Sequence, residues 1–279
     1  MTIEKQLAFI GAGNMASALI EGLVQAGTCA AAEITASDLR PDTLALLAQK
    51  HDIHTTTDNA DAVANADVVM LCVKPQNIPD VLPTLASKLR KDALVVSIAA
   101  GVPTVVLEGL LPKNTRVVRA MPNTPALVQA GATGLARGSH ATKDDLSLAS
   151  TLFHSVGVTI AVEEALIDAV TGVSGSGPAY VFRFVEALEG AAIAEGLSAE
   201  DARTLAVQTV FGAAKLLAQS GEAPSTLRAK VTSKGGTTAA GLASLEQQGF
   251  ENAILSCVRS ATARGRELGQ EAAAKAKGG

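Results

Sequence analysis

Two short strings in the second half of the chain place glycines beside hydroxyl side chains. Val173–Tyr180 reads Val-Ser-Gly-Ser-Gly-Pro-Ala-Tyr, and Thr232–Thr238 reads Thr-Ser-Lys-Gly-Gly-Thr-Thr. Both interrupt sequence that is otherwise typical of helices, in which an interior glycine costs about 1 kcal/mol relative to alanine. Glycines at both places despite this cost indicate that the backbone N–H groups there are exposed or that the backbone comes close to a ligand.

A third glycine string lies near the N-terminus, where a first predicted strand turns into a first predicted helix. It has the spacing of the dinucleotide-binding fingerprint, with Ala16 in the third glycine position. Gly11 permits the tight turn, Gly13 lets the backbone approach a pyrophosphate, and the helix start offers N–H donors. The string therefore predicts a nucleotide cofactor, bound by Ile10, Gly11, Ala12, Gly13, Asn14 and Met15.

The end of the second predicted strand carries conflicting signals about the cofactor. Asp38 lies where an acidic side chain accepts hydrogen bonds from a ribose 2′-hydroxyl, which favours NADH. Ser37 and Arg40 can instead hold a 2′-phosphate, which favours NADPH. Both cofactors stay open, and Asn59 is either a further residue of this site or a helix cap.

Two more turns follow predicted strands at the edge where open α/β sheets bind ligands. Cys72-Val-Lys-Pro75 closes one strand, and its lysine is either a cofactor contact or an ordinary solvated side chain. Ile98-Ala-Ala-Gly101 closes another and is small enough to pass close to a nicotinamide ring. The candidate cofactor residues of these turns are Cys72, Val73, Lys74, Pro75, Ile98, Ala99 and Ala100.

The elements that position these turns alternate between strands and helices over residues 1–162. Short runs rich in valine and isoleucine alternate with helical patterns, which is typical of a parallel sheet covered on both faces. These residues are therefore predicted to form a Rossmann-type NAD(P)-binding domain. Strands are predicted at Leu7–Ile10, Ile34–Ser37, Val68–Val73, Leu94–Ile98, Val117–Ala120, Gly131–Ala136 and Val158–Val162, and helices at Asn14–Ala26, Pro41–His51, Pro79–Lys88 and Val102–Leu111.

Residues 163–279 read as helices throughout and are predicted to form an all-α domain, whose alanine-rich composition hints at helix packing between subunits. Apolar residues that recur every three or four positions predict one buried stripe, made of Val207, Val210, Phe211, Ala214 and Leu217. The helices are predicted at Ala165–Thr171, Pro178–Glu195, Ala199–Gln219, Pro224–Val231, Thr238–Gln248 and Glu251–Glu271, with a frayed tail after them.

Composition excludes several classes of protein. Hydrophobic residues make up 48% and charged residues 18%, which is typical of a globular chain. A net charge of −4 without a Lys/Arg run argues against a nucleic-acid partner. The three cysteines are far apart, which predicts a reducing cytoplasm and no metal site. The longest apolar runs are of strand length, so no membrane association is expected.

In their order along the chain, the strings resemble those of pyrroline-5-carboxylate reductase, the last enzyme of proline synthesis. The resemblance covers almost the whole chain, and the two glycine–hydroxyl strings are its most specific part. The strings are Ile10-Gly-Ala-Gly-Asn-Met15, Val73-Lys-Pro75, Ser97-Ile-Ala-Ala-Gly101, Met121-Pro-Asn-Thr-Pro125, Gly172-Val-Ser-Gly-Ser-Gly-Pro-Ala-Tyr180 and Ser233-Lys-Gly-Gly-Thr-Thr238.

The resemblance implies NADPH- or NADH-dependent reduction of 1-pyrroline-5-carboxylate, a cyclic imine that carries a carboxylate, to L-proline. It implies a helical domain that interlocks with its twin in an obligate homodimer, often assembled further. The substrate residues that it implies are Glu164, Ser233, Gly236, Thr237 and Thr238. The backbone N–H groups of the last three suit the carboxylate, and the Thr238 hydroxyl, the catalytic group, suits the ring nitrogen.

Three features of the implied substrate region depart from the family or have a second interpretation. Lys234 stands where the family usually has proline, and Lys230 stands where a polar amide is common. Glu164 is also explained as a first-turn acid that the helix dipole favours.

Two other functions fit parts of the pattern. A hydroxyisobutyrate- or phosphogluconate-type dehydrogenase shares the two-domain plan but needs a catalytic lysine on a helix, for which Lys215 is the candidate. A non-catalytic NAD(P)-binding sensor would need only the N-terminal fingerprint. The four histidines lack an acidic or glycine context and are expected at the surface.

Overall fold

The computed structural model describes the backbone of residues 2–278 and the side chains of residues 2–275. The chain divides into two compact units. The first unit is the chain up to Ser176 together with the chain from Arg259 onward, and the second unit is Gly177–Val258. The predicted domain division after Val162 follows the change from strands to helices, and it stays a prediction.

Eight strands form one sheet in the part of the first unit that the structure describes. They are β1 (Leu7–Ile10), β2 (Ile34–Ser37), β3 (His54–Thr56), β4 (Val68–Leu71), β5 (Leu94–Ser97), β6 (Arg116–Met121), β7 (Gly131–Arg137) and β8 (Gly157–Ala161). Their order is β3-β2-β1-β4-β5-β6-β7-β8, and every neighbouring pair is parallel except β6 and β7. The predicted Rossmann-type α/β fold is confirmed.

Helices of the first unit cover both faces of this sheet. The helices of this unit are α1 (Asn14–Gln25), α2 (Pro41–His51), α3 (Asn59–Val63), α4 (Ile78–Leu85), α5 (Thr104–Leu110), α6 (Lys143–His154) and α7 (Ile167–Val170). Those of the second unit are α8 (Gly177–Ala194), α9 (Ala199–Ser220), α10 (Pro224–Lys230) and α11 (Thr237–Gln247), and α12 (Phe250–Gly278) starts in the second unit and ends in the first.

The central strands are buried on both faces, as their continuous apolar runs predict. Every residue of β1, β4 and β5 is buried. One apolar cluster around Phe9 and Leu19 packs on one face, and a second around Ile10 and Leu82 packs on the other. Successive side chains of a strand point to opposite faces, so each central strand is anchored in both apolar clusters. This anchoring fixes the carboxyl ends of the strands, where the predicted turns begin.

The predicted parallel sheet has one antiparallel pair, because β7 runs antiparallel to β6. A parallel crossover needs about a dozen residues or more. The connection from Met121 to Gly131 is shorter than that, and it contains only a 3₁₀ turn at Thr124–Val128. The chain therefore reverses direction here.

The apolar stripe on α9 is also not buried as predicted. Phe211 is 58% exposed and Val207 is 49% exposed. In the second unit α9 packs on α8, and two paired helices cannot cover the apolar residues that each presents on its other sides. Buried apolar residues of α9 are Ala202 and Ala206. The apolar residues of the stripe are therefore exposed or only partly buried in the single chain.

Two smaller differences concern the C-terminal tail and one histidine. Helix α12 continues to Gly278, through residues expected to fray. His51 is buried rather than at the surface. Across residues 2–278, no helix has both the length and the apolar character that spanning a bilayer requires.

Candidate active site

The turn between β1 and α1 is open at the point where a pyrophosphate is predicted to bind. Gly11 has φ +94°, and a Cβ there would lie 3.0 Å from the carbonyl carbon and oxygen of Cys72. A Cβ on Gly13 would meet nothing within 4 Å. Gly13 is the N-cap of α1 without a side-chain cap, and the first turn of α1 has no acidic residue. Uncapped N–H groups and an unneutralised helix dipole fit an anionic diphosphate.

Asp38 ties the end of β2 to this turn. Its Oδ2 accepts a hydrogen bond from the Ala12 N–H at 2.9 Å, and its Oδ1 accepts from the Arg40 N–H and Nε at 3.0 Å each. Burial raises the pKa of Asp38, but the hydrogen bonds from Arg40 and Ala12 outweigh burial, and the pKa lies below its ordinary value. The carboxylate is therefore ionised at neutral pH, with a cation beside it.

Asn59 is not the helix cap that its position suggested. Asp58 caps α3 by accepting from the Ala60 N–H at 2.8 Å. The Oδ1 of Asn59 instead bonds to the Ser37 hydroxyl at 2.5 Å. Ser37 is buried, so this pair fixes the Asn59 side chain above the end of β2.

The glycine turn, Asp38, Arg40 and Asn59 border one cleft of about 640 Å³ at the carboxyl edge of the sheet. Its predicted members are Gly11, Gly13, Asp38, Arg40, Asn59, Cys72, Val73 and Lys74, and it also contains Leu39, Gln76, Asn77 and Val81, which the sequence reasoning missed. Gln76 and Asn77 directly follow Pro75, so the predicted turn at Cys72–Pro75 could have indicated that these two residues also border the cleft. Burial raises the pKa of the Cys72 thiol to about 12, which keeps it protonated.

Other predicted cofactor residues lie outside the lining of this cleft. Ile10, Ala12 and Ala99 are almost fully buried, and the Ala12 N–H donates to Asp38. Pro75 and Ala100 line a smaller neighbouring cavity. Their predicted roles, and those of Asn14, Met15 and Ile98, stay predictions.

The Glu164 carboxylate accepts hydrogen bonds from Thr104 and lies beside Arg119 in the first unit. Its Oε1 accepts from the Thr104 N–H at 2.6 Å, and its Oε2 accepts from the Thr104 hydroxyl. Arg119, which is buried on β6, lies 3.5 Å from Glu164 and 3.3 Å from Asp168. No local pattern joins these four residues, and the sequence reasoning missed Thr104, Arg119 and Asp168. The Glu164 side chain is 29% exposed.

The strings Met121–Pro125 and Gly172–Tyr180 are joined by a hydrogen bond within the first unit. The Asn123 amide donates to the Ser174 carbonyl at 3.0 Å and accepts from the Ala132 N–H at 2.8 Å. A π-helical turn covers Thr171–Gly175. Asn123 therefore anchors the glycine-rich break that precedes α8.

The predicted substrate turn in the second unit is an open helix start. Gly235 has φ +73°, and Gly236 is the N-cap of α11 without a side-chain cap. Thr237 and Thr238 are exposed. The Gly236 N–H donates to the Ser233 carbonyl at 3.1 Å, so the N–H groups of the two threonines are the better donors for an anion. A Cβ on Gly236 would collide with the Ser233 hydroxyl, so a substitution there would require the Ser233 side chain to rotate.

Comparison with known proteins agrees with this geometry. Residues 164–268 match the family model for pyrroline-5-carboxylate reductase dimerisation, and residues 6–101 match the model for NADP oxidoreductase, coenzyme F420-dependent. Pyrroline-5-carboxylate reductase of Methanosarcina acetivorans is 45% identical over 96% of this chain and 99% of its own length.

Two solved structures show the same architecture. The structure of a pyrroline-5-carboxylate reductase from Coxiella burnetii has a TM-score of 0.92 and 40% identity, covering 95% of this chain and 99% of that one. Pyrroline carboxylate reductase of Plasmodium falciparum, solved with NADP bound, has a TM-score of 0.83 and 28% identity, covering 96% and 100%. These matches do not favour the other dehydrogenase or the sensor. This chain belongs to the pyrroline-5-carboxylate reductase family of NAD(P)-dependent oxidoreductases.

Proposed function

We propose that the protein reduces 1-pyrroline-5-carboxylate to L-proline with NADPH or NADH, as the final step of proline biosynthesis. The observation that carries this proposal is the open glycine turn at Gly11–Gly13, bordered by Asp38 and Arg40 in a chain of this family. The reduced nicotinamide, when bound, supplies a hydride to the imine carbon. The ring nitrogen takes up one proton from solvent in the same reaction, and a group that polarises the C=N bond makes the imine carbon a better hydride acceptor.

We assign polarisation of the C=N bond to the second unit. The Thr238 hydroxyl donates a hydrogen bond to the ring nitrogen, which makes the imine carbon more electrophilic. The N–H groups of Thr237 and Thr238, at the positive end of α11, hold the carboxylate. Ser233 and Gly236 shape this turn, and Glu164 is the acid proposed on the substrate side.

The working molecule that we propose is a homodimer in the cytoplasm. Residues 1–162 form its cofactor domain, and residues 163–279 form its dimerisation and substrate domain. Free Cys29, Cys72 and Cys257 agree with a reducing compartment.

The test is loss of absorbance at the reduced-nicotinamide band after 1-pyrroline-5-carboxylate is added to enzyme with NADPH, and separately with NADH. Substrate-dependent oxidation with production of L-proline is the expected result. Binding of both cofactors without any turnover would contradict the proposal.

A further inference from the structure

The C-terminal part of α12 packs against the turn that follows β5. Gly101 has φ +73°, and a Cβ on it would lie 2.9 Å from the Leu268 Cβ. A Cβ on Gly269 would lie 3.5 Å from the Gly101 carbonyl oxygen and 3.5 Å from the Pro103 Cγ. Gly265 and Gly269 are both buried and lie one helical turn apart on the same face. Gly269 therefore allows the α12 backbone to come close to the Ile98–Gly101 turn, whereas Gly265 lies against the Asp168 side chain.

The same part of α12 also faces the turn that follows β4. An apolar cavity of about 270 Å³ has Pro75 and Ile78 on one side and Leu268 and Ala272 on the other. Ala100 borders the same cavity. Both turns predicted to carry cofactor residues beyond the glycine string thus lie against one helix of the first unit.

We propose that this segment, the C-terminal brace (Gly265–Lys275), positions the Ile98–Gly101 turn for the nicotinamide end of the cofactor. The inference rests on the proposed function. Ile98-Ala-Ala-Gly is a turn of mostly small residues with Gly101 in a left-handed conformation, so it has few side chains with which to hold its own shape. Leu268 and Gly269 supply a rigid surface on its outer side, and they act as positioning residues.

The sheet order makes the brace act on one end of the cofactor. Strands β1 and β4 separate β2 from β5. At about 4.8 Å for each strand spacing, the Ile98–Gly101 turn lies roughly 14 Å across the sheet from the Asp38 end of the cleft. Displacement of the turn should therefore weaken contacts to nicotinamide and leave contacts to the adenosine ribose intact.

The experiment compares two ligands by isothermal titration calorimetry, without substrate, on full-length variants. NADP⁺ carries the nicotinamide, whereas 2′,5′-ADP carries only the adenine end. Gly269→Val places methyl groups against Gly101 and Pro103, and we expect about tenfold weaker NADP⁺ binding, because sub-ångström misplacement is costly at such sites. Binding of 2′,5′-ADP should stay within about twofold of wild type, which is less than 0.5 kcal/mol.

Two controls separate positioning from general damage. Gly269→Ala adds a Cβ at ordinary contact distance and should retain wild-type affinity for both ligands. Gly109→Val makes the same glycine-to-valine change on α5, where a Cβ meets nothing within 4 Å, and should also behave as wild type.

Equal weakening of both ligands by Gly269→Val, or no weakening of either, would overturn the brace. If Gly269→Val does not fold, Leu268→Ala replaces it, because that change removes only the atoms beyond Cβ that face the cavity. Selective loss of NADP⁺ affinity in Leu268→Ala supports the proposal, and unchanged affinity overturns it. If wild-type protein binds neither ligand, NAD⁺ and 5′-AMP, which lack the 2′-phosphate, replace them as the pair. Failure to bind NAD⁺ as well would overturn the proposed function, and the proposed role of the brace with it.

Discussion

At the residue scale, Asp38 and Arg40 are the side chains that we propose for recognition of the cofactor ribose. Both oxygens of Asp38 already accept hydrogen bonds, one from the Ala12 N–H and the other from Arg40. The Arg40 side chain is 64% exposed and borders the cleft. Asp38 therefore supports the glycine turn whichever cofactor binds, and Arg40 is the group available to a 2′-phosphate.

Arg40→Ala should discriminate between the two cofactors. A charge-assisted hydrogen bond contributes about 1.5–3 kcal/mol, so NADPH binding should weaken by about tenfold or more. NADH has no 2′-phosphate and should bind within about twofold of wild type. Calorimetric Kd values for both cofactors check this, with Arg90→Ala at a remote surface pair as the control. Equal loss for NADPH and NADH would remove Arg40 from the ribose site.

Thr238 is tested by a substitution that keeps its shape. Thr238→Val deletes the hydroxyl, and kcat/KM for 1-pyrroline-5-carboxylate should fall by about 10- to 100-fold, because the lost hydrogen bond stabilises a nitrogen that gains negative charge as the hydride adds. The Kd of NADPH should not change. Thr238→Ser retains the hydroxyl and should keep most activity. A Thr238→Val variant with wild-type turnover would show that another group polarises the imine.

At the scale of elements, burial decided which parts of the fold could be predicted. Strands β1 and β2 match their predicted bounds, because each is a short apolar run between turn residues. Strand β3 was missed because it is short, polar and at the sheet edge. Helix α6 was also missed, although the Thr142–Asp145 capping box that starts it is visible in the sequence.

In the candidate site, residues that are adjacent in the sequence could be predicted and residues that are distant in the sequence could not. The glycine turn lies in one continuous string with a physical meaning at each position, so the sequence identified it directly. The bond between Glu164 and Thr104 joins residues 60 positions apart. No local spacing encodes such a pair, and only the folded sheet brings its members together.

The turn between β1 and α1 gives a matched pair of variants. Gly11→Ala should lower both the melting temperature and cofactor affinity, because Gly11 has φ +94° and a Cβ would press on Cys72. Left-handed strain of this kind costs about 1–3 kcal/mol. Gly13→Ala should leave the melting temperature unchanged and weaken only cofactor binding, because its Cβ would point into open space. Thermal melts and NADPH titrations distinguish these outcomes, and equal melting temperatures for the two variants would contradict the assignment.

Arg119 joins β6 to the segment that begins at Glu164. Its side chain is 5% exposed and faces the carboxylates of Glu164 and Asp168. Arg119→Met leaves both carboxylates without their cation, and removal of one partner from a buried pair costs about 3–5 kcal/mol. Urea unfolding should show this loss. Arg183→Ala, in a pair whose side chains are 81% and 61% exposed, should change stability by less than about 1 kcal/mol. A similar effect of both variants would show that the Arg119 cluster is not a stabilising link.

On the scale of the whole molecule, the second unit is incomplete as a single chain. Large apolar residues on α8 and α9 are exposed, among them Phe182, Phe184, Leu205 and Phe211. Monomeric proteins rarely expose contiguous apolar patches of more than a few hundred Å². The dimerisation model matches this same region of the chain. A second copy of the chain is therefore the expected cover for these residues.

Phe211→Asp should convert the dimer to a monomer. Phe211 is 58% exposed in the single chain, so aspartate costs little there, but the same aspartate would be desolvated without a partner in a dimer interface. Analytical ultracentrifugation should show half the wild-type mass, with helix content by circular dichroism unchanged. Leu46→Asp, at a leucine that is 68% exposed on α2 in the other unit, should remain a dimer. Because the substrate turn lies within the dimerisation region, monomeric Phe211→Asp should bind NADPH yet lose turnover. A fully active monomer would show that one chain contains the complete site.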